Sequence, residues 1–191
     1  FFKNLFKLII LSNLNKLYFN YFWNPLLNVI IKKVQLEGGD MEIVHIKNPN
    51  FEMMKKIVEI EQEAFEGNGN VDLWIIKALI RYGLVFVIKE NDKIVCIVEY
   101  MQVFNKKSLF LYGISTLKKY RHKGYANCIL NETEKILRNL SYEEIELTVA
   151  PENEIAINLY KKHGYLKEKL LEDEYGKGIH RYAMRKKLIW F

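Results

Sequence analysis

The residues from Arg121 to Ala126 have the composition of a binding site for an anionic phosphate group. They lie between a strand-like run and a strongly periodic helix that begins near Gly124. The first N–H groups of a helix have no partner within it, and the helix dipole favours negative charge in front of them. Gly124 would let a ligand approach the backbone closely. An ordinary turn with a solvated basic patch is the alternative. The predicted contacts are Arg121, His122, Lys123, Gly124, Tyr125 and Ala126.

A second segment, Glu144 to Tyr165, favours the binding interpretation over a simple turn. Its first six residues alternate polar and apolar side chains, which is typical of a half-buried strand. Asn153 then stands where its side chain would cap a helix that ends near His163. A strand, a capping asparagine and a short helix therefore follow the basic loop.

With these two segments in this order, the chain resembles the GCN5-related N-acetyltransferase (GNAT) superfamily over roughly residues 41–188. The loop Arg121–Ala126 is similar to the family's pyrophosphate loop for acetyl-CoA. The chain is also somewhat similar to the branch that acetylates the N-termini of ribosomal proteins and peptides. The family's following motif is matched by Asn153, Ala156, Leu159, Tyr160, Gly164 and Tyr165.

The resemblance implies direct transfer of an acetyl group from acetyl-CoA to a primary amine. In the family, the fourth strand presents backbone groups to the acetyl and pantetheine part, which places Ile114, Ser115 and Thr116 in that role. Asn153 would bond the cofactor, and Tyr160 would protonate the departing thiolate, since a tyrosine has an ordinary pKa of about 10. On residue type alone, Tyr160 could be a half-buried aromatic and Ile114–Thr116 an ordinary strand end.

The general base is where the sequence departs from the resembled branch. Relatives that acetylate ribosomal-protein N-termini carry a glutamate five residues before the asparagine, and this chain has Thr148 there. Glu146 lies two residues earlier on the same strand face, so we predict it as the base, directly or through water. Glu99 on an earlier strand is another candidate. Both could instead be solvent-facing charges.

Two acidic regions suggest the kind of acceptor. In the resembled family both border the acceptor groove, where acid would suit a cationic amine such as a peptide N-terminus, a lysine or a small amine. A solvated helix face and a solvated loop are the alternative. The regions are Glu59, Glu61, Glu63 and Glu66, and Glu172, Asp173 and Glu174.

Hydrophobic periodicity predicts the element order βααβββαβαββ, which is a mixed α/β (α+β) class. The resemblance implies a central mixed, mostly antiparallel, twisted sheet of about six to seven strands flanked by about four helices. The predicted strands are Glu42–Ile46, Leu84–Ile88, Ile94–Val103, Leu109–Thr116, Glu144–Val149, Tyr165–Leu171 and His180–Leu188.

Composition limits the other possibilities. At 191 residues the chain is long enough for one domain with a sizeable core. Its net charge of +6 is not gathered into an arginine-rich arm, so we expect no nucleic-acid partner. Cys96 and Cys128 form no disulfide framework, which indicates a reducing cytoplasm, and the four scattered histidines predict no metal site. A homodimer through exposed strand edges is possible.

Residues 1–40 read as an extension to a domain at 41–188. They are rich in Phe, Leu, Ile, Asn and Lys, but Asn and Lys interrupt every apolar run, which argues against a spanning helix. Because Glu37–Asp40 precedes Met41 and could be encoded by a purine-rich ribosome-binding sequence, we expect a translated leader. A disordered or amphipathic anchor and a packed extra element are the alternatives.

The leading hypothesis is therefore a cytoplasmic, acetyl-CoA-dependent N-acetyltransferase without a metal. A non-catalytic acyl-CoA-binding or sensing module on the same fold is the alternative. Tyr160 and Asn153 favour catalysis, whereas Thr148 favours the alternative. A membrane-surface protein anchored by residues 1–36 is a third possibility.

Overall fold

The structure, a computed structural model, describes residues 29–36, 39–65 and 71–188. Its four helices and eight strands follow the predicted order with one additional strand at the start. The helices are α1 (Phe51–Phe65), α2 (Leu73–Tyr82), α3 (Tyr125–Asn139) and α4 (Glu154–Lys162). The strands are β1 (Val29–Leu36), β2 (Gly39–His45), β3 (Leu84–Glu90), β4 (Lys93–Gln102), β5 (Ser108–Thr116), β6 (Glu144–Val149), β7 (Leu166–Leu171) and β8 (Arg181–Lys187).

All eight strands belong to one sheet, in the order β1-β2-β3-β4-β5-β6-β8-β7. Every neighbouring pair is antiparallel except β5 and β6, which confirms the predicted mixed, mostly antiparallel class. Strand β1 is an addition to the expected sheet of about six to seven strands. Strand β1 pairs along the length of β2. Its sequence, VIIKKVQL, lacks a strict alternation and follows an Asn- and Lys-rich stretch, so periodicity did not reveal it.

The N-terminal extension is described only in part. Strand β1 lies on the N-terminal side of the domain boundary expected at residue 40, and that boundary stays a prediction. Residues 1–28 and 37–38, on which the leader and anchor hypotheses largely rest, lie outside the described residues. Within the part that the structure describes, no helix combines the length and apolar character needed to cross a membrane.

The sheet is covered on both faces, and each face has its own apolar core. Helices α3 and α4 pack on one face through residues such as Ile129, Leu130 and Ile157. Helix α1 packs on the other face, with α2 beside it, through Ile57, Ile60 and Ile76 among others. Because side chains of successive strand residues point to opposite faces, each central strand contributes to both cores.

Side-chain caps that the sequence analysis did not predict fix the starts of α1 and α2. Asn50 Oδ1 accepts a hydrogen bond from Met53 N at 2.8 Å at the start of α1. Asp72 caps α2 by accepting from Trp74 N and Ile75 N. These caps satisfy N–H groups that have no partner within the helix, and they fix where α1 and α2 begin.

Candidate active site

The sheet opens between its two parallel strands. Strands β5 and β6 pair only at Ser108–Phe110 and Glu144–Glu146, yet β5 continues to Thr116 and β6 to Val149. Beyond the three paired positions, the described residues place no other strand between β5 and β6. Backbone N–H and C=O groups on the facing edges can therefore bind an extended ligand. The predicted residues Ile114, Ser115 and Thr116 lie along this edge of β5.

A β-bulge changes the course of β5 at the start of the opening. Glu99 pairs with Gly113 and Tyr100 pairs with Leu111, so Tyr112 is one residue more than β4 can match. A bulge bends its strand and increases the local twist. The bend separates the end of β5 from β6. Sequence periodicity did not reveal this bulge, because one extra residue in a nine-residue strand leaves the apolar pattern almost intact.

The basic loop lies at the end of β5, as the motif requires. The Arg121 guanidinium donates through Nε to the Thr116 carbonyl oxygen at 3.2 Å, which brings the loop against the predicted acetyl-binding strand. Gly124 adopts a left-handed conformation with φ of 82° and has no side chain to cap α3. The first N–H groups of this 15-residue helix therefore point towards the loop.

Side chains of the loop divide into exposed cations and a buried anchor. The ammonium groups of Lys119 and Lys123 lie over the Tyr120 ring at 5.0 Å and 5.1 Å from its centroid. His122 is exposed with a positive φ of 63°. Tyr125, in contrast, is buried and donates from its hydroxyl to Glu90 at 2.6 Å. A ligand at the loop would therefore contact Tyr125 only through its backbone, together with the small Ala126.

Helix α4 begins and ends as its motif predicts. Asn153 Oδ1 accepts a hydrogen bond from Ala156 N at 3.1 Å, which makes it the N-cap. Tyr160 lies near the other end, buried in the core shared with α3, with its ring 5.6 Å from that of Tyr165. Burial raises the pKa of Tyr160 above its ordinary value, so the hydroxyl keeps its proton at neutral pH.

Glu146 lies on the opposite face of β6 from this core. Its neighbours Ile145 and Leu147 are buried, whereas the Glu146 carboxylate accepts from the Arg185 guanidinium at 3.3 Å. The same guanidinium binds Glu144 at 3.1 Å and Glu168 at 3.0 Å. A base must be free to take a proton, and this carboxylate is already paired with a cation. Its predicted role as the base has no support from these contacts and stays a prediction.

Two groups of buried polar residues were not predicted as groups from the sequence. The first surrounds Glu134 on α3, which binds the Lys186 ammonium and lies 3.7 Å from His163 Nδ1. His163 Nε2 in turn bonds Asn127 Oδ1 at 2.9 Å. Burial alone would raise the pKa of Glu134, but the contacts with His163 and Lys186 outweigh it and lower the pKa. This group joins α3, the end of α4 and β8.

The second group contains Glu61 of α1 and Glu99 of β4, which are almost completely buried on the α1 face of the sheet. A sequence signal for each does exist. Glu61 follows Ile57 by four residues and so falls within the apolar stripe of α1. Glu99 interrupts the apolar run from Ile94 to Tyr100. What periodicity does not reveal is that the two carboxyls meet. Elsewhere in the described ranges, no three His, Cys, Asp or Glu side chains gather closely enough to hold a metal ion.

The sequence is similar to those of known acetyltransferases. Residues 52–165, which include α1 through the end of α4, match the model of the acetyltransferase (GNAT) family. An N-alpha-acetyltransferase of Saccharolobus solfataricus is 38% identical over 77 residues, which cover 40% of this chain and 46% of that protein. The matched segment thus spans less than half of this relative's length.

Solved structures share the fold at low sequence identity. The ribosomal-protein-S18-alanine N-acetyltransferase of Escherichia coli superposes with a TM-score of 0.66 at 16% identity, covering 78% of this chain and 96% of that one. A Bacillus subtilis acetyltransferase in complex with CoA gives 0.64 at 11% identity, covering 78% and 99%. The opening between β5 and β6, with the basic loop at its end, therefore lies within a shared architecture.

Proposed function

The chain belongs to the acetyltransferase (GNAT) family, and we propose that it transfers an acetyl group from acetyl-CoA to a primary amine. The observation that carries this proposal is the opening between β5 and β6, which ends at the basic loop and the uncapped start of α3. An extended chain with a phosphate-bearing end suits a slot of backbone groups that leads to a helix N-terminus.

The residues present suit the parts of acetyl-CoA. The first N–H groups of α3, with Arg121 and Lys123 nearby, would hold the pyrophosphate. The unpaired backbone edge of Ile114, Ser115 and Thr116 would hold the pantetheine and orient the acetyl carbonyl. Such preorganised N–H donors stabilise negative charge that develops on a carbonyl oxygen. Asn153 supports the site by fixing where α4 begins.

Tyr160 is the proposed general acid. Acetyl-CoA supplies the activated acetyl group when bound, and its thiolate must be protonated as the amide forms. Burial keeps the Tyr160 hydroxyl protonated up to a pH well above neutral, so it can donate that proton. Acid catalysis of this kind contributes roughly 10²- to 10⁴-fold to a rate.

The acceptor is proposed to be a cationic primary amine, with a peptide N-terminus as the first class to test. The similarity to an N-alpha-acetyltransferase supports this class. Tyr112 on β5 packs against the core on the α1 face, and the exposed Tyr175, in the loop between β7 and β8, lies within electrostatic range of Tyr112. They would border the acceptor on the face opposite Tyr160. Lysine side chains and small amines are the other acceptor classes.

We also propose a location and an assembly for the protein. The free thiols of Cys96 and Cys128 support a reducing, cytoplasmic location. Strand β7 forms one end of the sheet and exposes Leu166 and Leu170, which supports a homodimer through that strand. Light scattering of the purified protein would test the dimer. No nucleic-acid partner is proposed.

Acceptor-dependent release of thiol from acetyl-CoA by the full chain tests the activity. The panel should contain peptides with different N-terminal residues, free lysine peptides, polyamines and aminoglycosides. Release with one class and with no other would establish the transferase and its acceptor class. Tight acetyl-CoA binding in calorimetry, without release for any acceptor, would instead favour the non-catalytic acyl-CoA-binding module.

A further inference from the structure

Two carboxyl groups from distant parts of the chain meet above Gly113. Glu99 is fully buried and Glu61 is 1% exposed. A Cβ atom placed on Gly113 would lie 2.8 Å from Glu99 Oε2 and 3.6 Å from Glu61 Oε2. The absence of a side chain at residue 113 therefore makes room for both carboxyls. Gly113 belongs to β5, directly after the Tyr112 bulge and next to the proposed acetyl-binding residues.

The two carboxyl groups have few hydrogen-bond partners among the described residues. Both oxygens of Glu99 and Oε1 of Glu61 lack a hydrogen-bond partner among the described residues. The Ser115 hydroxyl, 2% exposed, lies close enough to Glu61 to favour its charged form slightly but makes no well-aligned hydrogen bond. Buried polar groups in native proteins are nearly always paired, so an unpaired pair of this kind indicates a functional use.

Burial and mutual repulsion set the protonation of the pair. Burial raises the pKa of Glu61 to about 7. Burial, and then the nearby charge of Glu61, raise the pKa of Glu99 well above its ordinary value. Two carboxyls that share a dry site cannot both ionise easily, so near neutral pH the pair keeps at least one proton.

Tyr112, the bulge residue directly before Gly113, is half-buried against the core on the α1 face. Its burial and, after it, the charges of Glu99, Tyr175, Glu61 and Asp72 raise its pKa, so it lies within electrostatic range of the pair. Cys96 on β4 also lies within electrostatic range of Glu61. No basic side chain is among the groups that shift the pKa of either glutamate.

We propose that Glu61 and Glu99 act together as the proton acceptor for the ammonium form of the acceptor, with Tyr112 as the relay. The inference rests on the proposed function and replaces Glu146 as the base. The ammonium N–H bond breaks as its proton passes to the Tyr112 oxygen, while the Tyr112 proton passes to the singly charged pair. The neutral amine then attacks the acetyl carbon and the C–S bond breaks. The second proton that the nitrogen loses as the amide forms offsets the proton that Tyr160 gives to the thiolate, and the proton held by the pair returns to solvent.

The pH dependence of kcat/KM in the full chain tests the pair. The wild-type value should rise through an inflection near pH 7, the pKa to which burial raises Glu61. Glu61→Gln removes the carboxyl whose pKa is raised to about 7, so the inflection should no longer lie near pH 7. Glu99→Gln should keep the inflection near its place or lower it, because a glutamine resembles the protonated acid. The amine titrates equally in all variants, so differences among them belong to the protein.

The double variant Glu61→Gln/Glu99→Gln should lose the inflection and lower kcat/KM by about 100-fold, within the range for a lost general base. Tyr112→Phe should lower kcat/KM while acetyl-CoA affinity stays unchanged. Glu52→Gln is the matched control, since Glu52 lies on the same helix but is exposed in its first turn. Its profile should match that of the wild type.

Other outcomes overturn the inference. An inflection that persists in the double variant, or one that disappears in Glu146→Gln, would remove the pair from the reaction while the transferase stands. No turnover by the wild type with any acceptor would remove the function itself. A ¹³C NMR titration of glutamate carboxyls separates the cases further, because ordinary titration of Glu61 below pH 5 would overturn the shared proton regardless of activity.

Discussion

The two sides of the opening between β5 and β6 differ in how their residues come together. On what we term the motif side, the loop Arg121–Ala126, α3 and α4 supply groups that are close in sequence. On the carboxyl side, Glu61 of α1 and Glu99 of β4 meet only because both pack against the face of β5 that carries Gly113. The motif side therefore depends on local sequence. The carboxyl side, in contrast, depends on long-range packing.

The largest expected effect on this comparison comes from Tyr160 on the motif side. Tyr160→Phe keeps the ring in the core but removes the proposed acid. We expect kcat to fall by roughly 10²-fold or more, with little change in acetyl-CoA affinity by calorimetry. Tyr142→Phe, which alters a partly buried tyrosine packed against the same core, is the control. Unchanged turnover in Tyr160→Phe would remove this residue from the chemistry.

Stability gives a second test of the motif side. Glu134→Gln would leave the Lys186 ammonium without its buried partner, and breaking such a pair costs about 3–5 kcal/mol. Glu143→Gln removes an exposed pair with Lys107, so its cost should be about 0–1 kcal/mol. Urea unfolding at neutral pH compares the two. Similar losses would show that the Glu134 group is not a buried network.

The pH dependence of stability should also differ between the wild type and Glu134→Gln. Because the folded-state pKa of Glu134 is lowered, its contribution to stability is present above the unfolded pKa of about 4.5 and is lost as pH falls through the lower, folded value. The wild type should therefore lose stability on the acid side more steeply than Glu134→Gln. Unfolding curves between pH 7 and pH 3 measure this difference, and parallel curves would contradict it.

A smaller effect should appear on the carboxyl side. Gly113→Ala places a methyl group against Glu99 Oε2, and crowding of this kind costs about 1–3 kcal/mol. Shortening Glu99 to alanine should relieve the clash, so the double variant should be more stable than the sum of the single losses predicts. Urea unfolding of the wild type, Gly113→Ala, Glu99→Ala and the double variant measures the interaction between the two positions. Strict additivity would mean that Gly113 and Glu99 do not touch.

The smallest expected effect is electrostatic. Lys123→Gln removes one exposed cation from the loop, and a charge near a helix terminus contributes about 0.3–1 kcal/mol. We expect acetyl-CoA to bind about two- to fivefold more weakly in low salt, with the difference shrinking as salt is added. Lys55→Gln is the control, because Lys55 is an exposed cation of α1, away from the loop. A difference that does not depend on salt would argue against a charge effect.

The sequence predicted the helices of the motif side and the Asn153 cap because that information is local. Caps such as Asn153, the apolar stripe of α3 and the glycine at the start of that helix each depend on residues a few positions apart. The Tyr112 bulge, strand β1 and the meeting of Glu61 with Glu99 depend on strand pairing and helix packing. Periodicity shows which face a residue occupies, but it does not show what lies opposite that face.

The strand and the face of Glu146 could be predicted from the sequence, but its ion-pair partner could not. Its place on β6 follows correctly from alternation, since Ile145 and Leu147 are buried beside it. Its partner Arg185 lies on β8, 39 positions away, and only the register between the two strands brings them together. A residue can therefore be placed on the right strand and face while its electrostatic surroundings remain beyond the reach of the sequence.

The short parallel junction between β5 and β6 also has a mechanical consequence. Among the described residues, three pairs join β1–β5 to β6–β8 within the sheet, so the sheet can separate most easily between β5 and β6. A molecule lying in the opening would form hydrogen bonds with both strands, in place of the backbone hydrogen bonds that β5 and β6 do not make with each other there. Its binding energy would then add directly to the cohesion of the two halves. With a substrate bound across the opening, the two parts of the sheet would therefore unfold more cooperatively than they do in the protein alone.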